Sequence, residues 1–225
     1  MVGRRSGGGD GGNTMRMLHL ATITAGALLA SGTARASLHD VRPGSADALT
    51  HNGTAYITGP FSLTKYGAGT LELGGTSSNS YTGGTIVNQG TLLLNKEDTA
   101  GRIFQPNATG TGSVIIGDEM GANDADVVRY GSLAGVDQIF GAGNVTLATS
   151  GLLDLATNNK SDFVNGLTLE TGRLKSSDVA TGTGTLTVNG DINVNANPFG
   201  GLGTSALFPT SLSATISGQL TMTGA

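Results

Sequence analysis

Leu63-Thr-Lys-Tyr-Gly-Ala-Gly-Thr-Leu-Glu-Leu-Gly-Gly75, followed by Tyr81-Thr-Gly-Gly-Thr-Ile-Val-Asn-Gln-Gly-Thr-Leu-Leu-Leu94, decides the fold. The passage holds four very short apolar segments, each closed by glycine, asparagine or both. Side chains on a strand alternate between faces, so Leu71 and Leu73 share one face and Thr70 and Glu72 the other. Leu92 and Leu94 repeat the pattern. The same spacing recurs at Val145-Thr-Leu147, Leu153-Asp-Leu155, Leu167-Thr-Leu169, Leu186-Thr-Val188, Ile192-Asn-Val194 and Leu220-Thr-Met222. Two aliphatics separated by one polar residue mark a half-buried strand. The flanking glycines and asparagines accept positive φ and suit sharp corners.

Strand starts recur at roughly 20 residues, as from Leu71 to Leu92, Leu92 to Val114, Val145 to Leu167 and Leu153 to Leu174, near the low end of solenoid periods. One coil of that length cannot bury its own aliphatic face, but stacked coils about 4.8 Å apart can. A β-sandwich would favour longer strands and an aromatic core. This chain has 4% aromatic residues and no Trp. No helical period is found after residue 40. The 38 glycines among 225 residues raise the alternative of disorder, which the spaced aliphatic pairs oppose. The expectation is an all-β solenoid of short strands, with about eight coils over residues 61–225.

Met15 to Ala30 is a basic start followed by an apolar run, and Ala34-Arg-Ala36 has the small-residue spacing of a secretory cleavage site. Residues 1–36 are expected to be an N-terminal extension and signal peptide (core 15–36), cut after Ala36. The apolar run is shorter than the ~20 residues of a spanning helix, and no other segment reaches that length. The chain carries 12 basic and 16 acidic residues, and residues 1–36 hold four of the former and one of the latter, leaving net −7 after cleavage. An acidic chain disfavours nucleic acid as partner. Without cysteine there is no disulfide scaffold and no thiolate metal site.

Leu63-Thr-Lys-x-Gly-x-Gly-Thr-Leu-x-Leu-x-Gly and Asn79-x-Tyr-Thr-Gly-Gly-Thr-x-Val-Asn-x-Gly-Thr-Leu-Leu together resemble the autotransporter-associated β-strand repeat, over residues 61–94. Val114-Ile-Ile-Gly-Asp118, Ala125 to Tyr130 and Ser150 to Leu155 resemble the segment downstream of such repeats in large bacterial surface proteins. The resemblance implies a right-handed parallel β-helix, secreted as a passenger to the bacterial surface, with a repeat that aids export and folding. It implies no catalytic residues. It also implies an outer-membrane translocator of 8–16 or so strands, which this chain does not encode. The expected organisation is a cap or linker at 37–60, the repeat at 61–94 and further, truncated coils at 95–225. The expected role is a non-catalytic stalk or adhesin with no cofactor, with surface glycans or matrix as potential partners.

Two other classes compete. Asp118, Glu119, Asn123, Asp124 and Asp126 form the densest acidic cluster, and oxygen-rich loops suit calcium in a surface-layer or matrix module. Only one imperfect match to a calcium-winding nonapeptide is present, so a solvated loop is the expectation. A polysaccharide lyase would need carboxylates beside a lowered-pKa Lys or Arg base; Arg129, Arg173, Lys175, Asp154 and Asp178 are the candidates. No carboxylate pair is singled out for glycoside hydrolysis. His19, His39 and His51 read as surface histidines rather than zinc ligands. Nucleophile-elbow and phosphate-loop motifs are absent from the sequence. The Asn-x-Thr triplets at Asn52, Asn107 and Asn144 read as chance. Phe61 and Tyr66 are expected to cap the first coil, and Tyr81 to be structural rather than a ligand platform; Phe104 is an unassigned aromatic.

Overall fold

Alternating aliphatics and frequent glycine corners produce a chain that winds. A computed structural model describes residues 28–29, 37–38, 48–51, 56–98, 106–171, 177–196 and 215–223. Strands β1 (Leu28–Leu29), β2 (Ser37–Leu38) and β3 (Ala48–His51) begin it. The next coils bring β4 (Ile57–Gly59), β5 (Leu63–Lys65) and β6 (Thr70–Gly75), then β7 (Ser80–Tyr81), β8 (Thr85–Val87) and β9 (Gly90–Lys96). β10 (Val114–Ile116) and β11 (Asp126–Tyr130) follow, then β12 (Asn144–Leu147) and β13 (Gly151–Asp154). After one 3-10 turn at Ala156–Asn158 come β14 (Asp162–Val164), β15 (Gly166–Thr171), β16 (Asp178–Val188), β17 (Ile192–Ala196) and β18 (Thr215–Met222).

Each coil gives one strand to each of two long sheets. One runs β2-β5-β8-β10-β12-β15-β17. The other runs β3-β6-β9-β11-β13-β16, with β14 and β18 also pairing β16; a short third sheet runs β1-β4-β7. Every strand-to-strand pairing among the described residues is parallel. Successive strands in sequence sit on different sheets, so the chain is a parallel β-helix, as the alternation predicts.

Register stacks like on like. Leu71, Leu92, Val128, Leu153 and Val179 form one interior row. Leu63, Thr85, Val114, Val145 and Leu167 form another on the facing sheet. All ten are buried. Burying each aliphatic side chain contributes roughly 1.5–3 kcal/mol. The corner before β9 needs Gly90, whose φ is +70°. A Cβ there would come 2.5 Å from the Gly67 carbonyl oxygen, a conformation and a contact that other residues tolerate poorly.

The structure corrects the period. Leu71 does stack on Leu92, and Val145 on Leu167. Leu92, however, stacks on Val128, and Val114 belongs to the other sheet. Leu153 stacks on Val179; Leu174 lies outside the described residues. The longer stretches between β9 and β10, and between β10 and β11, lengthen the middle coils, so a fixed 20-residue spacing fails there. Among the described residues six coils, not eight, begin at or after Leu63. The segment 37–60 supplies β2, β3 and β4, so winding starts ahead of Phe61. β1 falls within the expected leader; the other residues of the 15–36 core, with its cleavage site at Ala36, lie outside the described residues. β16 spans 11 residues, longer than the short-strand reading allows, and is broken by a register shift between Ala180 and Thr185.

Candidate functional site

Inward positions are not all aliphatic, and the exceptions are tied down. Lys65 ends the strand Leu63-Thr-Lys65 with its stem inside; its ammonium donates to the carbonyls of Tyr66, Gly67 and Gln89 and so joins two successive corners. Burial lowers its pKa to about 8, opposed by the nearby Asp126 charge. Asn79 bridges three coils: its Oδ1 accepts from Ile57 N and its Nδ2 donates to Ala108 O. Gln138 does the same for β9, accepting from Lys96 N and donating to Lys96 O. These side chains supply backbone hydrogen bonds where neighbouring strands stop. Burial also lowers Lys96 to about 8.

Asp162 is the centre of an interior network with four donors. Its alternation with Val164 turns it inward, while Phe163 points out. Oδ2 accepts from the Tyr130 hydroxyl at 2.5 Å and Ile139 N at 3.0 Å; Oδ1 accepts from Asp137 N and Phe163 N, each at 2.8 Å. The carboxyl thereby fastens the loop between β11 and β12 to the core. Burial raises Asp162 to about 7 against the pull of those donors, with the Asp137 charge adding to the rise. Burial raises Asp137 to about 6, opposed by Gly141 N–H. Tyr130 is pushed well up, by burial and then by the Asp162 charge.

These shifts predict an unusual stability profile. Asp162 and Asp137 have folded pKa values above the unfolded value of about 4, so their contribution is full below pH 4 and is lost as pH rises to about 7. Lys65 and Lys96 have folded values below the unfolded one, so their penalty on folding is full below about 8 and is relieved as pH rises from there toward 10.5. Thermal melts should therefore show Tm falling by at least about 5 °C from pH 5 to 7.5 and recovering toward pH 9.5. A Tm that is flat or highest near pH 7.5 contradicts the assignment.

The sequence candidates for chemistry scatter. Asp118 accepts from Met120 N within its own turn. Glu119 and Asp124 occupy left-handed backbone, φ 68° and 56°. Asp124 is raised by burial, then by the Asp178 and Asp154 charges. Asp126 is buried and accepts from Ser150 Oγ at 2.6 Å. Among the described residues no three His, Cys, Asp or Glu side chains gather as a metal site. Arg129 Nε lies 2.7 Å from Asp154 Oδ2. Burial pushes Asp154 upward, but the Thr157 hydroxyl and amide and Arg129 outweigh it and hold the carboxyl below its ordinary range. Arg173, Lys175, His19, His39, Asn52 and Phe104 lie outside the described residues, as does the side chain of His51. Tyr81 is fully buried, bonds Thr85 at 2.6 Å and stacks on Phe61 at 6.0 Å, so both are core; burial raises Tyr81 to about 12. Phe61 is thus a core residue, while Tyr66 is 39% exposed.

The sequence reading missed an outer groove of about 330 Å³ across β12, β15 and β17. One wall is the outward row Thr146, Thr168 and Asn193, in register on adjacent strands. The other runs through Ser113, Asn144 and Asp191 at the strand starts. Asn165 Nδ2 donates to Asn144 Oδ1 at 2.9 Å and holds that amide. Gly166 stands between Asn144 and Asp191: a Cβ there would meet Asn144 Oδ1 at 3.0 Å and Asp191 O at 3.5 Å. The groove exists because that position has no side chain. The coils of β12 and β17 each supply one polar residue to both walls, and the coil of β15 supplies Thr168 to one and Gly166 to the other, a pattern visible in the sequence only once the coils are aligned.

No helix among the described residues is long and apolar enough to cross a membrane. No curated protein and no solved structure matches the chain. Residues 63–94, which are β5 to β8 and most of β9, match the family model of the passenger-associated-transport-repeat. The corners and leucine rows of the second and third coils are thus the family's own pattern, and the chain carries a passenger-associated transport repeat at residues 63–94.

Proposed function

We propose that the protein is a non-catalytic passenger, exported to the bacterial cell surface, whose stacked coils form a stalk presenting a polar, acidic exterior to glycans or matrix. The observation that carries this reading is the repeat at 63–94 set within a continuous parallel β-helix. Export through a cleaved leader and passage through an outer-membrane translocator belong to the same proposal. Folding from a threaded state suits a solenoid, because each coil docks on its neighbour alone and can add sequentially. The repeat's role is then to found the first stable stack outside the cell. Arg129, the basic residue a lyase would use among the described candidates, is committed to Asp154, which favours a structural reading over catalysis.

The test displays the full chain ahead of a β-barrel translocator in a Gram-negative host. Protease added to intact cells should remove it. Leu92→Asp, inside the repeat, should lower surface display several-fold more than Leu153→Asp in a later coil. Retention inside the cell, or a larger loss from Leu153→Asp, would overturn the reading. Acidic polysaccharides incubated with the protein should yield no unsaturated product; their cleavage would reinstate the enzyme.

A further inference from the structure

We infer that the groove over β12, β15 and β17 is a binding site for a neutral oligosaccharide. The inference rests on the passenger reading and gives that surface a defined ligand class. Its first support is chemical. Ser113, Thr146 and Thr168 offer hydroxyls and Asn144, Asn165 and Asn193 offer amides, groups that both donate and accept. A sugar hydroxyl also does both, so the two surfaces match where an apolar or purely anionic ligand would leave groups unsatisfied. The bond between Asn165 Nδ2 and Asn144 Oδ1 fixes the pair while leaving the Asn144 amide donors and the Asn165 carbonyl outside it. Such held side chains lose little entropy on binding.

The second support is repetition. Thr146, Thr168 and Asn193 stand on neighbouring strands in register, about 4.8 Å apart. A periodic row of like groups suits a ligand that itself repeats, lying across the coils rather than along a strand. The third is charge. Asp191 is the groove's charged side chain, and the chain is acidic, so anionic saccharides meet repulsion. The fourth is Gly166, whose missing side chain leaves the second wall open between Asn144 and Asp191. With no aromatic platform among the lining residues, affinity for one segment is weak, and strength comes from many copies on a surface.

The test titrates the labelled full chain with uncharged hexasaccharides of differing linkage and with an oligogalacturonate, following amide signals by NMR. Saturable shifts confined to the groove, with at least one neutral sugar and absent with the anion, are expected. Thr146→Val/Thr168→Val keeps the shape and should weaken binding at least tenfold with Tm unchanged; Gly166→Ala should block it by narrowing the groove. Absence of groove shifts with every neutral sugar, stronger shifts with the anion, or unchanged affinity in the double variant would overturn the assignment. The same variant in the display assay separates the two ideas. It should reach the cell surface normally, so loss of display is a failure of the passenger reading and loss of binding alone is not.

Discussion

Leu92→Asp should unfold the central coils of this protein. Leu92 is fully buried and lies between Leu71 and Val128 in an interior row. A carboxylate there would lose its hydration with leucine and valine above and below it, and even as the neutral acid it would leave polar atoms among aliphatic neighbours. The cost exceeds about 4–5 kcal/mol, comparable to the whole stability of many domains, about 5–15 kcal/mol. In a stacked fold a broken tier also removes the interface on both sides, so the loss reaches the coils of β6 and β11. Leu153→Asp should behave alike, between Val128 and Val179. Glu72→Lys on the outer face is the control. Asn95 Nδ2 donates to Glu72 Oε1 at 2.6 Å, so the control costs a charge-assisted bond, about 1 kcal/mol, rather than nothing. Circular dichroism melts should separate the aspartate variants from the control by tens of degrees or by loss of any transition. Equal melts for all three would mean that the inward and outward faces are misassigned.

The inward face was legible because the aliphatic alternation is local. Leu71-Glu-Leu73 and Leu167-Thr-Leu169 state their own orientation, and the repeat at 63–94 carries enough consecutive corners to fix the stacking of its two coils. What the sequence conceals is which rows meet across a long loop. Val114 comes after Leu92 at nearly the right spacing, yet stacks on Thr85 in the other sheet, because the stretch between β9 and β10 is long and the chain regains Leu92's sheet only at β11. Spacing measures chain length, and a solenoid tolerates length change at its corners without disturbing the rows.

Interior polar residues were harder to read, for a different reason. Lys65 sits two residues after Leu63 on the same inward face, but a lysine at the end of a strand looks solvated unless the carbonyls that receive it are known. Asp162-Phe-Val164 inverts the expected pattern, with the acid inside and the aromatic 36% exposed. Val164 alone could have signalled it, since period two places Asp162 on the valine's face. The outer groove left still less trace. Ser113, Asn144 and Asp191 are far apart in sequence, and only register sets them in line. The acidic loop, by contrast, was conspicuous in sequence yet its members diverge: Asp126 turns into the core while Asp118 and Glu119 stay on the turn.

Asp162→Ala is the second large expectation, and it tests whether a buried carboxyl can act as the fastening of a loop. Truncation leaves the Tyr130 hydroxyl and the amides of Asp137, Ile139 and Phe163 without their acceptor. Each buried donor so orphaned costs about 1–3 kcal/mol; with partial relaxation and penetration of water, a total of about 4 kcal/mol is expected. Tyr130→Phe removes one donor and leaves the carboxylate three amides, so it should cost only about 1 kcal/mol. Combining the two should cost less than their sum, because the hydroxyl no longer needs the acceptor that is gone. Hydrogen exchange gives the local readout. In Asp162→Ala the amides of Asp137 and Ile139 should lose protection by orders of magnitude, while the amide of Leu71 on β6, two strands beyond the β11 of Tyr130, keeps its own. Uniform loss of protection along the helix would make Asp162 an ordinary core residue. No loss at Asp137 and Ile139 would mean that the loop between β11 and β12 is held by Gln138 and its bonds to Lys96 instead.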